Sequence, residues 1–245
     1  MQNSYLINFT SKPNAKLNLF CFPYAGGGAS IFRKFKALLP DEIELIGVQY
    51  PGRENLYREP AIKDMKLLVN TLTEVIQPLL NKPSVFFGYS LGGIVAYEVS
   101  IQLQDPQLKH LLIAASRPPE EIAADESLKK AAASPEAAIN KMRFFDGTPE
   151  AILNDPELLN FFGRILQNDF SLFATYSILP HAKLNCPITV LYGDDEQENS
   201  MEQASKWKKY TDGSFKVCAI PGNHFFINES ADEIVEIIQE VSSIA

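Results

Sequence analysis

The chain has 245 residues, 46% apolar and 21% charged, a mix that excludes intrinsic disorder for the bulk of it. Twenty-two Lys and Arg against 30 Asp and Glu leave a net charge of -8. With no basic run, neither a nucleic-acid partner nor docking on an anionic membrane surface is expected.

The N-terminal ten residues, MQNSYLINFT, lack a basic stretch followed by an apolar one. No secretory signal is expected there, and every apolar run is too short to cross a bilayer. Cys21, Cys186 and Cys218 stand far apart in apolar runs with no metal-ligand spacing. They are expected to be buried, reduced thiols in a cytoplasmic protein.

In chain order, short apolar runs bounded by Gly, Pro or polar residues read as buried strands. They are Leu17–Phe22, Ile43–Gln49, Val85–Phe87, Leu111–Ala115, Ile188–Tyr192 and Phe215–Ile220. Helix-period segments lie between them at Ile31–Leu39, Asp64–Leu80, Leu91–Leu103, Met201–Tyr210 and Asp232–Ile244. This alternation predicts an α/β fold, a mostly parallel sheet with helices on both faces, over one domain spanning 1–245.

Between Pro118 and Pro180 the alternation stops. Ser134-Pro135-Glu136 and Asp155-Pro156-Glu157 each set a capping residue before a proline at the first helical position. After the second cap, Leu158, Phe162, Ile165 and Leu166 recur at helical spacing, widened by Leu159, Phe161, Phe170 and Phe173. Such a stripe belongs either to core or to a mobile helical lid over a substrate channel.

The strongest chemical signal is Gly88-Tyr89-Ser90-Leu91-Gly92, between a strand and a helix. In the G-x-S-x-G pattern, glycines two residues either side of the serine allow a turn tight enough to expose its hydroxyl. The helix N-terminus beyond it offers free N–H groups where an oxyanion would form. The general base is one of three histidines. His110 opens the next strand, too early for the order serine, acid, histidine, and His181 precedes any plausible acid. His224, in the loop Pro221-Gly222-Asn223-His224-Phe225-Phe226 after the last strand, is the expected base. The acid should lie in the loop Gly193-Asp194-Asp195-Glu196-Gln197-Glu198, which offers several carboxylates. A second oxyanion donor should come from Pro23-Tyr24-Ala25-Gly26-Gly27-Gly28, which lacks the lysine and spacing of a phosphate-binding loop.

With these residues in place, the chain resembles the stand-alone, type II thioesterases of nonribosomal peptide and polyketide synthesis over nearly its whole length. The matching pieces are Cys21-Phe22-Pro23-Tyr24-Ala25-Gly26-Gly27-Gly28, Pro51-Gly52-Arg53-Glu54, Gly88-Tyr89-Ser90-Leu91-Gly92-Gly93, Trp207, and Pro221-Gly222-Asn223-His224-Phe225-Phe226. The resemblance implies an α/β-hydrolase with an inserted helical lid at about 118–180. It implies hydrolysis of acyl thioesters on the phosphopantetheine arm of carrier proteins, by a monomer needing no metal or redox cofactor. By it, Ser90 is the nucleophile, His224 the base, and the Ala25 and Leu91 N–H groups the oxyanion hole.

Two positions depart from the family pattern. Tyr89 replaces a frequent His, a change expected to touch the elbow surface and not the chemistry. Glu196 occupies the position of the usual Asp without a gap, which favours it as the acid, while the shorter Asp195 stays open. Carrier recognition is expected through Arg53, Arg117 or lid residues. The rival readings are another esterase or acyltransferase on the same residues, and a carrier-binding module with a decayed triad.

Overall fold

A computed structural model describes residues 4–143, 154–178, 183–196 and 199–243. The strands are β1 (Leu6–Asn8), β2 (Leu17–Phe22), β3 (Ile43–Val48), β4 (Ser84–Tyr89), β5 (Leu108–Ala114), β6 (Ile188–Gly193) and β7 (Phe215–Ile220). They form one sheet in the order β1-β3-β2-β4-β5-β6-β7. Neighbours from β3 to β7 run parallel, and β1 alone is antiparallel, against β3. The expected strands are all present. The sequence reading did not include β1, whose three residues are too few to show a period.

Alternate residues of the central strands feed two apolar layers. Phe20, Phe22, Phe86 and Ile113 pack beneath α2 (Met65–Ile76) and α3 (Leu91–Leu103). Leu19, Cys21, Phe87 and Leu112 face the opposite layer, which includes Phe32, Phe35 and the helix α9 (Ala231–Ser243). Both faces of β2, β3 and β4 are buried, so these strands read as continuous apolar runs. Each fully buried Phe stabilises the fold by about 1.5–3 kcal/mol.

Two expected helices differ in type. The segment Ala29–Lys34 is a 3-10 helix that runs into a single α-turn, α1 (Phe35–Leu38). A three-residue repeat aligns Ala29, Phe32 and Phe35 on one line, and all three are buried. Likewise α8 (Met201–Ser205) continues as a 3-10 turn to Tyr210, aligning Ala204 and Trp207 toward the core.

The described part of the segment between β5 and β6 is helical: α4 (Pro119–Ala124), α5 (Glu126–Ala131), α6 (Pro135–Arg143) and α7 (Pro156–Ala174). Both expected caps form. Ser134 Oγ accepts the Ala137 N–H at 3.2 Å, and Asp155 Oδ1 accepts those of Glu157 and Leu158 at 2.9 and 3.1 Å. The stripe on α7 divides. Ile165, Leu166, Phe170 and Phe173 are buried, whereas Leu158 and Phe161 stay exposed.

The thiols correct one expectation. Cys21 is buried, but Cys186 and Cys218 are only half-buried, since β7 is an edge strand and Cys186 precedes the start of β6. Among the described residues, no helix is long and apolar enough to cross a membrane.

Candidate active site

The parallel register gathers the site at one end of the sheet. Phe22 pairs Gly88, Tyr89 pairs Ala114, and Gly193 pairs Ile220. The loops leaving β2, β4, β6 and β7 therefore open side by side, the usual place for a site in a parallel sheet.

Ser90 sits on the turn between β4 and α3 with φ +53, a conformation L-residues rarely adopt. The turn closes so tightly that a Cβ at Gly88 would overlap the Gly92 carbonyl, and one at Gly92 would overlap that of Phe22. The Ser90 N–H donates to the Ala114 carbonyl at 2.8 Å, which ties the elbow to β5. Leu91 is the first residue of α3, so its N–H has no carbonyl four residues back within the helix.

His224 lies across the sheet end from β7, with Nε2 at 3.2 Å from Ser90 Oγ. Its Nδ1 contacts Glu196 Oε1 in a short hydrogen bond, and both side chains are at least nine-tenths buried. Asn199 Nδ2 donates to the same Glu196 oxygen at 2.5 Å. Of the two carboxylates left open by the sequence, Glu196 meets the imidazole. Asp195 is exposed, and its N–H donates to the Gly222 carbonyl at 3.1 Å. Asp194 Oδ1 accepts the Gly222 N–H at 2.9 Å. These bonds dock the β6 and β7 loops together, and a Cβ on Gly193 would overlap the Gly222 carbonyl.

Tyr89 does more than expected. Its hydroxyl donates to the His224 carbonyl at 2.7 Å and accepts the Ile227 N–H at 3.3 Å. Burial pushes this phenol well above its ordinary value, so it stays a protonated donor. Tyr89 thus anchors the histidine loop from beneath, a role its place beside Ser90 did not reveal.

Ala25 and Ser90 border a cavity of about 40 Å³ with His224. Ile122, Leu128, Met142, Phe170 and Phe173 of the helical segment supply most of its apolar wall. Arg117 lines it too, with Nη2 on Asp125 Oδ2 at 2.5 Å. Burial works against the Asp125 charge, but bonds from Ser127 and Arg117 outweigh it and bring the carboxyl down to about 2.

Arg53 corrects another expectation. It is 4% exposed and forked onto Asp169 of α7, so it is no surface contact for a partner. Of the remaining histidines, one lies in the sheet. His110 Nε2 bonds Thr189 Oγ1 at 2.9 Å across β5 and β6, and burial brings its imidazole down to about 4. His181 falls outside the described residues.

Comparison with known proteins agrees with this architecture. A model of the thioesterase domain matches residues 17–241. The gramicidin S biosynthesis protein GrsT of Aneurinibacillus migulanus is 34% identical, over 96% of this chain and 93% of its own length. Among solved structures, the type II thioesterase BorB from the borrelidin biosynthetic cluster superposes with a TM-score of 0.87 at 30% identity, covering 98% of both chains. The prodiginine-pathway thioesterase RedJ of Streptomyces coelicolor gives 0.86 at 29% identity, covering 94% of this chain and 92% of that one. With a parallel sheet of the α/β-hydrolase kind and a match over nearly its full length, the chain belongs to the thioesterase family.

Proposed function

We propose that the protein is a serine thioesterase that removes acyl groups from the phosphopantetheine arm of carrier proteins in nonribosomal peptide or polyketide synthesis, clearing stalled or mis-primed chains. The observation that carries this reading is His224, set between the Ser90 hydroxyl and the Glu196 carboxylate at the mouth of an apolar cavity. The relatives named for gramicidin S, prodiginine and borrelidin biosynthesis support this substrate class.

In this mechanism His224 Nε2 takes the Ser90 proton as Oγ attacks the thioester carbonyl. Glu196 holds the imidazole orientation and stabilises the imidazolium that forms. The Leu91 and Ala25 N–H groups receive the charge of the tetrahedral intermediate. Collapse expels the pantetheine thiol, which takes the proton from His224. Water, deprotonated by the same imidazole, then attacks the acyl-serine and frees the acid. The helices between β5 and β6 act as the lid that walls the acyl chamber. The enzyme is read as cytoplasmic and monomeric, working without metal or redox cofactor. A decayed-triad binding module has no support from a serine, histidine and carboxylate in hydrogen-bond sequence.

The test is incubation with an acetyl-loaded carrier protein, followed by intact mass. Return of the carrier to its free-thiol mass, with slower turnover of the matching oxygen ester, supports the reading. Transfer of the acyl group to an added alcohol or amine in preference to water would make the protein an acyltransferase instead. No loss of the acyl mass would contradict it.

A further inference from the structure

The Pro51-Gly52-Arg53-Glu54 segment is not used by the chemistry, yet it reaches the glycine loop from two sides. Arg53 Nη1 donates to the Gly27 carbonyl at 3.0 Å and to Asp169 Oδ2 at 2.6 Å. Its Nη2 donates to Asp169 Oδ1 at 2.5 Å. Asp169 Oδ2 also accepts the Gly26 N–H at 2.7 Å. On the other side, Glu54 Oε1 accepts the Ser30 hydroxyl at 2.5 Å and Oε2 its N–H at 3.3 Å. One carboxylate of α7 is therefore bonded both to a buried guanidinium and to the residue after Ala25.

The geometry of that loop turns this contact into a lever on the oxyanion donor. The Gly27 N–H bonds the Tyr24 carbonyl at 3.0 Å, closing a turn with Ala25 and Gly26 in the middle. Gly26 has φ +84, the value a type II turn demands at that position. Asp169 takes the N–H of the central peptide, which must point out of the turn for this turn type. The Tyr24 carbonyl and the Ala25 N–H share one planar trans peptide, so fixing the first aims the second away from the turn. Leu166 and Phe162 of α7 pack on Gly26 so closely that a Cβ there would come within 2.8 Å of Leu166.

Resting on the thioesterase reading above, we infer that Arg53 and Asp169 are positioning residues, a buried clamp by which helix α7 holds the Ala25 N–H in the geometry that receives the oxyanion. The pair touches no reacting atom. Its contribution lies in the transition state, where the donor must be aimed, more than in substrate binding.

The test compares turnover with stability. In the double variant Arg53→Met/Asp169→Leu both charges leave together, a replacement that buried ion pairs commonly tolerate in folding. With an acetyl N-acetylcysteamine thioester as probe, the expected result is a folded chain, its Tm lowered only by the lost partners of the Gly26 N–H and the Gly27 carbonyl, and a KM within about threefold. The kcat should fall about tenfold to a hundredfold, below the loss from deleting an oxyanion donor outright. Fluorophosphonate labelling of Ser90 should slow in parallel, because that adduct needs the same hole. A folded double variant with wild-type kcat overturns the inference and leaves the clamp purely structural. Arg53→Lys keeps the buried charge but cannot fork both carboxylate oxygens. If the double variant fails to fold, Arg53→Lys carries the same comparison: reduced kcat at constant KM supports the clamp, and unchanged kcat contradicts it. A wild-type chain that neither labels nor cleaves the probe is a different failure, that of the serine-thioesterase reading itself.

Discussion

The loops at the ends of β4, β6 and β7 and the helical segment between β5 and β6 reach the same cavity by different means. In the loops, backbone geometry sets the site. Gly88, Gly92 and Gly193 stand where a Cβ would strike a neighbouring carbonyl, and Ser90 holds a positive φ. In the helical segment, side chains do the work. Apolar residues wall the cavity, and one buried carboxylate bonds a guanidinium 116 residues away. A backbone constraint restricts which residue can occupy a position, so it leaves a mark in the sequence. A long-range charge pair restricts two distant positions jointly and leaves none that a single sequence reveals.

The comparison breaks most sharply at Ser90. Ser90→Ala is expected to lower kcat/KM for acyl release by roughly five to six orders of magnitude, with Tm little changed, because the elbow is built by its glycines. Retained turnover would move the chemistry elsewhere. Next comes the acid. Glu196→Gln should cost about four orders of magnitude in kcat, mostly without raising KM, since the carboxylate orients His224 and stabilises its cation. Asp195→Asn should stay within about twofold of wild type, because its side chain is exposed. The reverse pattern would transfer the role to Asp195.

Tyr89→Phe sharpens the contrast within the loop region itself. It strips the His224 carbonyl and the Ile227 N–H of a buried partner, a change worth about 1–3 kcal/mol in thermal or denaturant unfolding. A fall in kcat should accompany it, as the histidine loop loosens. The smallest effect belongs to the helical segment. Asp125 is held from its ordinary 3.8 to about 2. Its folded-state pKa is depressed, so the stability it adds is full above about pH 4 and is lost as pH falls through 2. The Tm gap between wild type and Asp125→Asn should therefore narrow over that acid range. A gap that stays constant down to pH 2 would remove the carboxylate's charge, held by Ser127 and Arg117, as its cause.

Legibility followed the same division. The central strands β2, β3 and β4 announced themselves as apolar runs because both their faces are buried, and the grouping of Ser90, Glu196 and His224 followed from motif, chain order and family position. Four features escaped. The strand β1 is too short to show a period. The helices at 29–38 and 201–210 carry apolar residues three apart, a spacing shared by 3-10 and α-helix. Arg53, expected among the carrier contacts, is buried against Asp169, a partner that only the folded chain identifies. Tyr89 escaped for a related reason. The side chain beside Ser90 points into the sheet layer, and its partner lies 135 residues on.

Mapping the site of covalent labelling tests the central claim most directly. The protein is treated with a fluorophosphonate, digested, and its peptides weighed, with wild type, Ser90→Ala and His224→Ala side by side. The account predicts one adduct per wild-type chain, on the peptide containing Ser90. It predicts no adduct in Ser90→Ala, and labelling slowed by orders of magnitude in His224→Ala. An adduct on another residue, or a wild-type chain that stays unlabelled, would contradict it.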